Sequence, residues 1–162
     1  MLSFKEYVNE IKSRFSDSIE NTPEIQEVNQ DLVFELNGKK LEFKSKNEVK
    51  ENGDIYFTWE EALALQKDNW RLPTRKEFKA LIETGFVFGH SKGIFDGRLI
   101  LPAAGYRNCN GNVCIVGSIG YYWSSTPNGS KNAWYLCFNS GEVLVFNFNR
   151  CYGLSVRLVR EV

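Results

Sequence analysis

Four cysteines, at positions 109, 114, 137 and 151, and a single histidine, His90, hold the sharpest chemical possibilities in this chain of 162 residues. Four residues separate Cys109 from Cys114, so a bridge across a loop is one arrangement open to them. A zinc site needs Cys and His ligands at closer spacing than these offer. The first ten residues contain Lys5, Glu6 and Glu10 and lack the apolar core of a secretory signal. The expectation is therefore synthesis in the cytoplasm without a signal peptide, with the thiols reduced. Cys137 and Cys151 are expected to be at least partly exposed and unbridged. His90 stands alone between Gly89 and Ser91. It reads as a surface-loop residue rather than a catalyst.

A second kind of chemistry is recognition. From Gly105 to Gly153 only Arg107, Lys131, Glu142 and Arg150 are charged, and Asn, Gly and aromatic residues dominate. Such a stretch is either a β-rich half with tight turns or a binding surface, since uncharged Tyr, Asn, Ser and Gly are typical of paratopes. Lys plus Arg and Asp plus Glu both number 20, so no basic excess exists to follow a phosphate backbone. Nucleic acid is not an expected partner. No apolar run approaches the ~18 residues of a membrane-spanning helix, so no membrane insertion is expected. Hydrophobic residues at 43% supply a packed core.

The elements that must position these residues follow from periodicity. Phe4, Val8, Ile11 and Phe15 form an apolar stripe on a helix over 3–20. It serves either to dock on its own domain or as a short oligomerisation seam. Asn21-Thr22-Pro23 ends it. Asn37-Gly38 between Leu32–Leu36 and Leu41–Phe43 predicts a hairpin. Thr58 with Glu61 and Thr74 with Glu77 are capping boxes, which predict helices near 59–68 and 75–84, with Gly85 ending the second. Beyond Gly97 the pattern is β: strands at 98–101, 121–125, 134–138, 143–148 and 154–159. Helices followed by an antiparallel sheet mean α+β.

The hairpin 134–148 is the most informative part. Alternation places Trp134, Leu136 and Phe138 on one face, joined by Val143 and Val145. An Asn139–Glu142 pairing sets Cys137 beside Leu144 and Tyr135 beside Phe146. The opposite face then shows Tyr135, Cys137, Leu144, Phe146 and Phe148. Either a second layer covers that face, or it is an exposed adhesive patch. On the patch reading, replacing Phe146 or Phe148 with Asn leaves stability within ~0.5 kcal/mol. Trp123 and Trp134 are expected in the core.

Five ordered motifs, WRLPTRKEFKALI at 70–82, ILPAAGYRN at 100–108, VGSIGYYWSST at 116–126, AWYLCFNSG at 133–141 and NRCYGLSVRLVR at 149–160, resemble the Fibrobacter succinogenes major paralogous domain family. Its members resemble C-type lectin folds. The resemblance implies a C-type-lectin-like α+β fold, two helices packed on a mostly antiparallel sheet, which the N-terminal helix and β-hairpin read above would precede. The resemblance covers roughly residues 54–162 and implies 51–162 as the lectin-like domain with a variable face at 105–154; residues 1–50 match no motif of the family and are expected, from their own apolar spacing, to be a docking or oligomerisation segment. Within that family the C-terminal stretch resembles a variable protein of a diversity-generating retroelement. Such elements mutate the adenines of AAC codons, and Tyr135, Cys137, Leu144, Phe146, Phe148, Cys151 and Tyr152 are all reachable from AAC. The resemblance makes these seven the ligand-binding set of a non-enzymatic receptor-binding or adhesion protein, a phage tail or prophage component associated with the virion. Its partner is a protein or cell-surface ligand; a homo-oligomer through the N-terminal helix is a separate expectation from the 4-3-4 apolar spacing of that helix. No cofactor or metal is expected, because the calcium motifs Glu-Pro-Asn and Trp-Asn-Asp are absent. The alternatives are a relative of formylglycine-generating oxidases, with Cys137 and Cys151 as the cysteine pair, and a purely structural assembly protein.

Overall fold

The structure, a computed structural model, describes residues 1, 3–6 and 27–162. Most of the expected N-terminal helix over 3–20 lies outside the described residues, and with it the oligomerisation seam. After a 3₁₀ turn at Gln30–Leu32, strands β1 (Val33–Leu36) and β2 (Lys39–Phe43) form the expected hairpin. Asn37 and Gly38 both sit at positive φ, 53° and 77°. That is what a two-residue turn matching the strand twist requires. The C-terminal strand β11 (Val159–Glu161) pairs antiparallel with β2, so the two ends of the described domain share one sheet.

Both capping boxes form. Thr58 caps α1 (Trp59–Leu63) and Thr74 caps α2 (Arg75–Glu83), each with its reciprocal Glu bond. Gly85, at φ 114°, ends α2 as expected. Helix α1 is shorter than its predicted span. Asp68 and Asn69 take positive φ, 54° and 68°, and the chain folds back so that Lys67 bridges Trp70. Short polar side chains tolerate that left-handed conformation, and the turn wins over helix continuation.

Three further antiparallel sheets follow. Strands β3 (Phe86–Gly89), β4 (Lys92–Phe95) and β5 (Leu99–Pro102) form a meander. Its first hairpin was not legible in the sequence, because its turn is His90-Ser91, both at positive φ. His90 is thus an exposed turn residue, as read from its neighbours. Strands β6 (Tyr106–Arg107) and β7 (Val113–Cys114) make a small ladder. Strands β8 (Gly120–Asn128), β9 (Asn132–Phe138) and β10 (Val143–Asn149) form the main sheet in the order β10-β9-β8. The strand predicted over 154–159 is only partly one. Leu154 and Ser155 make single bridges to Phe57 and Tyr122, and Arg157 is buried, donating to the carbonyls of Lys44 and Ile100. The class is α+β: few helices on mostly antiparallel sheets.

The main sheet is packed on both faces. Tyr122, Leu136 and Phe138 point into a core with α2, the meander and the N-terminal hairpin, and Val143 and Val145 lean on it. Tyr121, Trp123 and Tyr135 point the other way, into a second core with Trp59, Leu72, Leu154 and Val156. Two buried indoles tie this second core together: Trp59 of α1 donates to the Ser124 carbonyl of β8 at 2.9 Å, and Trp123 of β8 to the Phe57 carbonyl just before α1 at 2.8 Å. Phe138 needs room. A Cβ on Gly93 would come within 2.8 Å of its ring, and one on Gly120 would overlap it.

Trp134 departs from expectation. It is half-buried rather than core, and the Arg75 guanidinium at the start of α2 lies over its ring, 3.4 Å from the centroid. The first core ends at Leu136, so a cation covers the indole where apolar side chains were expected.

Candidate functional site

The register places the outward-reading set as alternation demands. Cys137 pairs with Leu144 and Tyr135 with Phe146, and the Asn139 N–H bonds the Glu142 carbonyl at 2.9 Å. The Asn139 side chain accepts from Gly141 and Glu142 and fixes the turn. The face is therefore the one read from sequence, but it is not uniformly exposed.

Tyr135 is buried, with 3% of its surface accessible, which corrects its assignment as a solvent-facing residue. The reason is the neighbouring strand: Trp123 of β8 lies directly opposite Tyr135, and the second core closes over both. From Tyr135 a network of rings runs outward. Tyr135 meets Phe148 at 4.5 Å between centroids, and Phe148 stacks on Tyr152 at 4.7 Å. Tyr121 and Tyr106 close the group, 5.3 Å from each other, with Tyr121 5.4 Å from Tyr135 and Tyr106 5.7 Å from Tyr152. Phe148 and Tyr152 are half-buried, so Phe148 is not the free surface side chain that the sequence suggested. Leu144 and Cys137 are also half-buried, whereas Phe146 is 55% exposed. The result is a graded face: a rigid aromatic floor with Phe146 standing proud.

Tyr106 and Tyr121 were absent from the sequence-derived set. Tyr121 is the cross-strand partner of Cys137, a relation readable only once the β8–β9 register is known. No signal in the sequence placed Tyr106 here.

The cysteines also differ from expectation. Cys151 is bonded to Cys109, with Cα atoms 5.3 Å apart, while Cys114 and Cys137 are free. Neither a Cys109–Cys114 bridge nor a Cys137–Cys151 pair forms. The β6–β7 register explains this. It sets Cys114 against Tyr106, while Arg107 and Gly153 exchange two backbone bonds of 2.8 Å that bring the turn 150–153 beside Cys109. Burial pushes the Cys137 thiol up to about 11, and it shares a hydrogen bond with the Tyr121 hydroxyl. Burial likewise raises the Tyr121 and Tyr135 phenols. These groups are neutral at physiological pH and act as contact surface.

Two of the four charges in this stretch have structural partners, and the other two lie at the ends of a hairpin. Arg107 pairs with Asp54 at 2.6 Å, and the guanidinium holds the Asp54 carboxyl down to about 2. Arg150 donates to the Gly129 and Asn132 carbonyls and covers Trp59. Lys131 and Glu142 are exposed at opposite ends of the β9–β10 hairpin. A groove of about 690 Å³ lies elsewhere, between β2 and α2, where Lys39, Arg71, Arg75 and Lys79 meet Glu77 and Glu161. Arg71 is bonded to Glu77 at 2.7 and 2.9 Å. Among the described residues no group of three or more His, Cys, Asp or Glu side chains is placed to hold a metal ion, and no helix is long and apolar enough to cross a membrane.

The domain is α+β, with a neutral aromatic face bordered by a disulfide. The chain belongs to the Lcl C-terminal domain family, whose match covers residues 39–160. No curated protein matches it.

Proposed function

We propose that this protein is a non-enzymatic ligand-binding module, a C-type-lectin-like variable protein of the diversity-generating retroelement kind, serving receptor binding or adhesion on a phage tail, a prophage particle or a cell surface. The observation that carries the reading is the graded aromatic face. Phe146 stands exposed above Leu144, Phe148 and Tyr152, which are backed by buried Tyr121 and Tyr135. Rigid aromatics supply contact area at low entropic cost, and central aromatics dominate interface energies. The site's neutrality suits a protein or other surface receptor rather than a charged small molecule. Of the seven residues, Leu144, Phe146, Phe148 and Tyr152 form the contact surface, Cys137 and Tyr135 support it, and Cys151 fastens its border. Membership of the Lcl C-terminal domain family is compatible with this reading. With Cys151 bonded to Cys109, no observation favours the oxidase alternative.

The test is the DNA beside the gene. A near-copy of its 3′ coding repeat is expected, with adenines at the codons of the seven residues, next to a reverse-transcriptase gene. A complete flanking sequence with neither refutes diversification. Binding itself is tested on immobilised bacterial cell envelopes: wild type retained and Phe146→Asn released is the expected result, and equal retention refutes the face as the site.

A further inference from the structure

Strand β10 is an edge. It pairs with β9 alone, and among the described residues no other strand meets its outer side. The phase of its ladder is fixed at both ends, where Asn139 N–H bonds the Glu142 carbonyl and Arg150 N–H bonds the Lys131 carbonyl, each at 2.9 Å. Bonded pairs alternate along an antiparallel ladder. The backbone groups of Leu144, Phe146 and Phe148 therefore turn inward to β9, and those of Val143, Val145 and Asn147 turn outward, where no described group bonds them. Protein sheets blunt such edges with charge, proline or a bulge. Strand β1 has Glu35, β5 ends in Pro102, and β8 contains Pro127 and an irregularity. The sequence of β10, VLVFNFN, has no such device, and its pairing is continuous over seven residues.

We propose that a second copy of this chain docks on this edge, β10 against β10, antiparallel about a two-fold axis at Phe146. Full overlap of the strand puts the axis at its middle residue. Val145 then faces Asn147 of the second copy and the reverse, so the outward groups of both strands meet in register, with about four backbone bonds exchanged at the centre. The same register sets Glu142 opposite Arg150 of the second copy, with Lys131 beside that arginine in the turn before β9. Among the described residues, Glu142, Arg150 and Lys131 have no ion-pair partner within the chain, so the two ends of the strand are complementary in charge. The two exposed Phe146 rings become neighbours across the axis on the same side of the extended sheet, so the two aromatic faces join into one. The contact is isologous and closes on itself. It rests on backbone direction and charge, independently of any receptor.

Hydrogen exchange on the full chain tests this at several protein concentrations. The Val145 and Asn147 amides should slow at least tenfold from low to high micromolar protein, in step with dimer formation seen by sedimentation velocity. Exchange of these amides at exposed rates at every concentration overturns the proposal. Asn147→Pro deletes an outward donor that β9 does not use, and it should give a monomer with the β9 amides still protected. Glu142→Lys should weaken the dimer at least tenfold, because it faces Arg150 of the second copy. A dimer untouched by both substitutions is built elsewhere and also overturns the proposal.

Discussion

Tyr135 and Phe146 face each other across β9 and β10 on the same side of the sheet, yet replacing each with Thr should have very different costs. An aromatic side chain buries ~200 Å² when fully enclosed, and at ~25 cal/mol per Å² that is about 5 kcal/mol as an upper bound. Tyr135 is 3% exposed and touches the rings of Tyr121, Trp123 and Phe148. Thr restores only a fraction of that contact, so Tyr135→Thr should cost about 3–4 kcal/mol, in line with large-to-small aromatic substitutions. Phe146 is 55% exposed, so less than half of its area is at stake. Compactness of the unfolded chain lowers this further, and Thr suits a strand, which leaves about 1 kcal/mol. Urea denaturation followed by tryptophan fluorescence reads both. With a slope of ~2 kcal/mol/M the midpoints should fall by about 1.5–2 M and about 0.5 M. Equal shifts, or a larger one for Phe146, would refute the division of this face into floor and summit.

Three other outcomes are expected. Trp123→Ala should cost ~3–5 kcal/mol and Trp134→Ala only about 2, because Trp123 is fully buried and Trp134 is a half-covered partner of Arg75; urea midpoints decide between them. In the native protein without reductant, a thiol reagent followed by mass spectrometry should label Cys114 quickly and Cys137 slowly at pH 8, because burial holds the Cys137 thiol near 11, and should leave Cys109 and Cys151 unmodified. Arg107 depresses the Asp54 carboxyl to about 2, below the ~3.9 of an unfolded Asp. Its contribution is complete above the unfolded value and is lost as pH falls from about 4 to 2, so Asp54→Asn should lower stability at pH 7 and flatten that acid limb.

Local chemistry was the legible part of the fold. Thr58, Thr74, Asn37-Gly38 and the Asn139 turn each act through bonds within a few residues, so the sequence contains all the information they need. The hairpin register followed from the last of these, and it located the face. Exposure did not follow, because both faces of the main sheet are apolar and alternation separates two faces without saying which is wet. Tyr135 and Trp134 exchanged roles for that reason: a tyrosine met Trp123 from β8, and a tryptophan met Arg75 from α2. The Cys109–Cys151 bond spans 42 residues, and its geometry depends on the Arg107–Gly153 bridge between segments far apart in sequence. The His90-Ser91 turn is not legible because neither residue signals positive φ as Asn-Gly does.

That same disulfide has a mechanical meaning. It closes residues 109–151 into a covalent ring that contains β7 and the whole main sheet, β8, β9 and β10. Tension applied between β2 and the C-terminus would first part β2 from β11, and the yielding chain would then stop at the ring. At ~3.5 Å per residue, about 140 Å of slack stays locked away from a pulling force. The border of the aromatic face would hold its span while the rest of the domain is drawn out, and a reducing agent would release that length in a single added step.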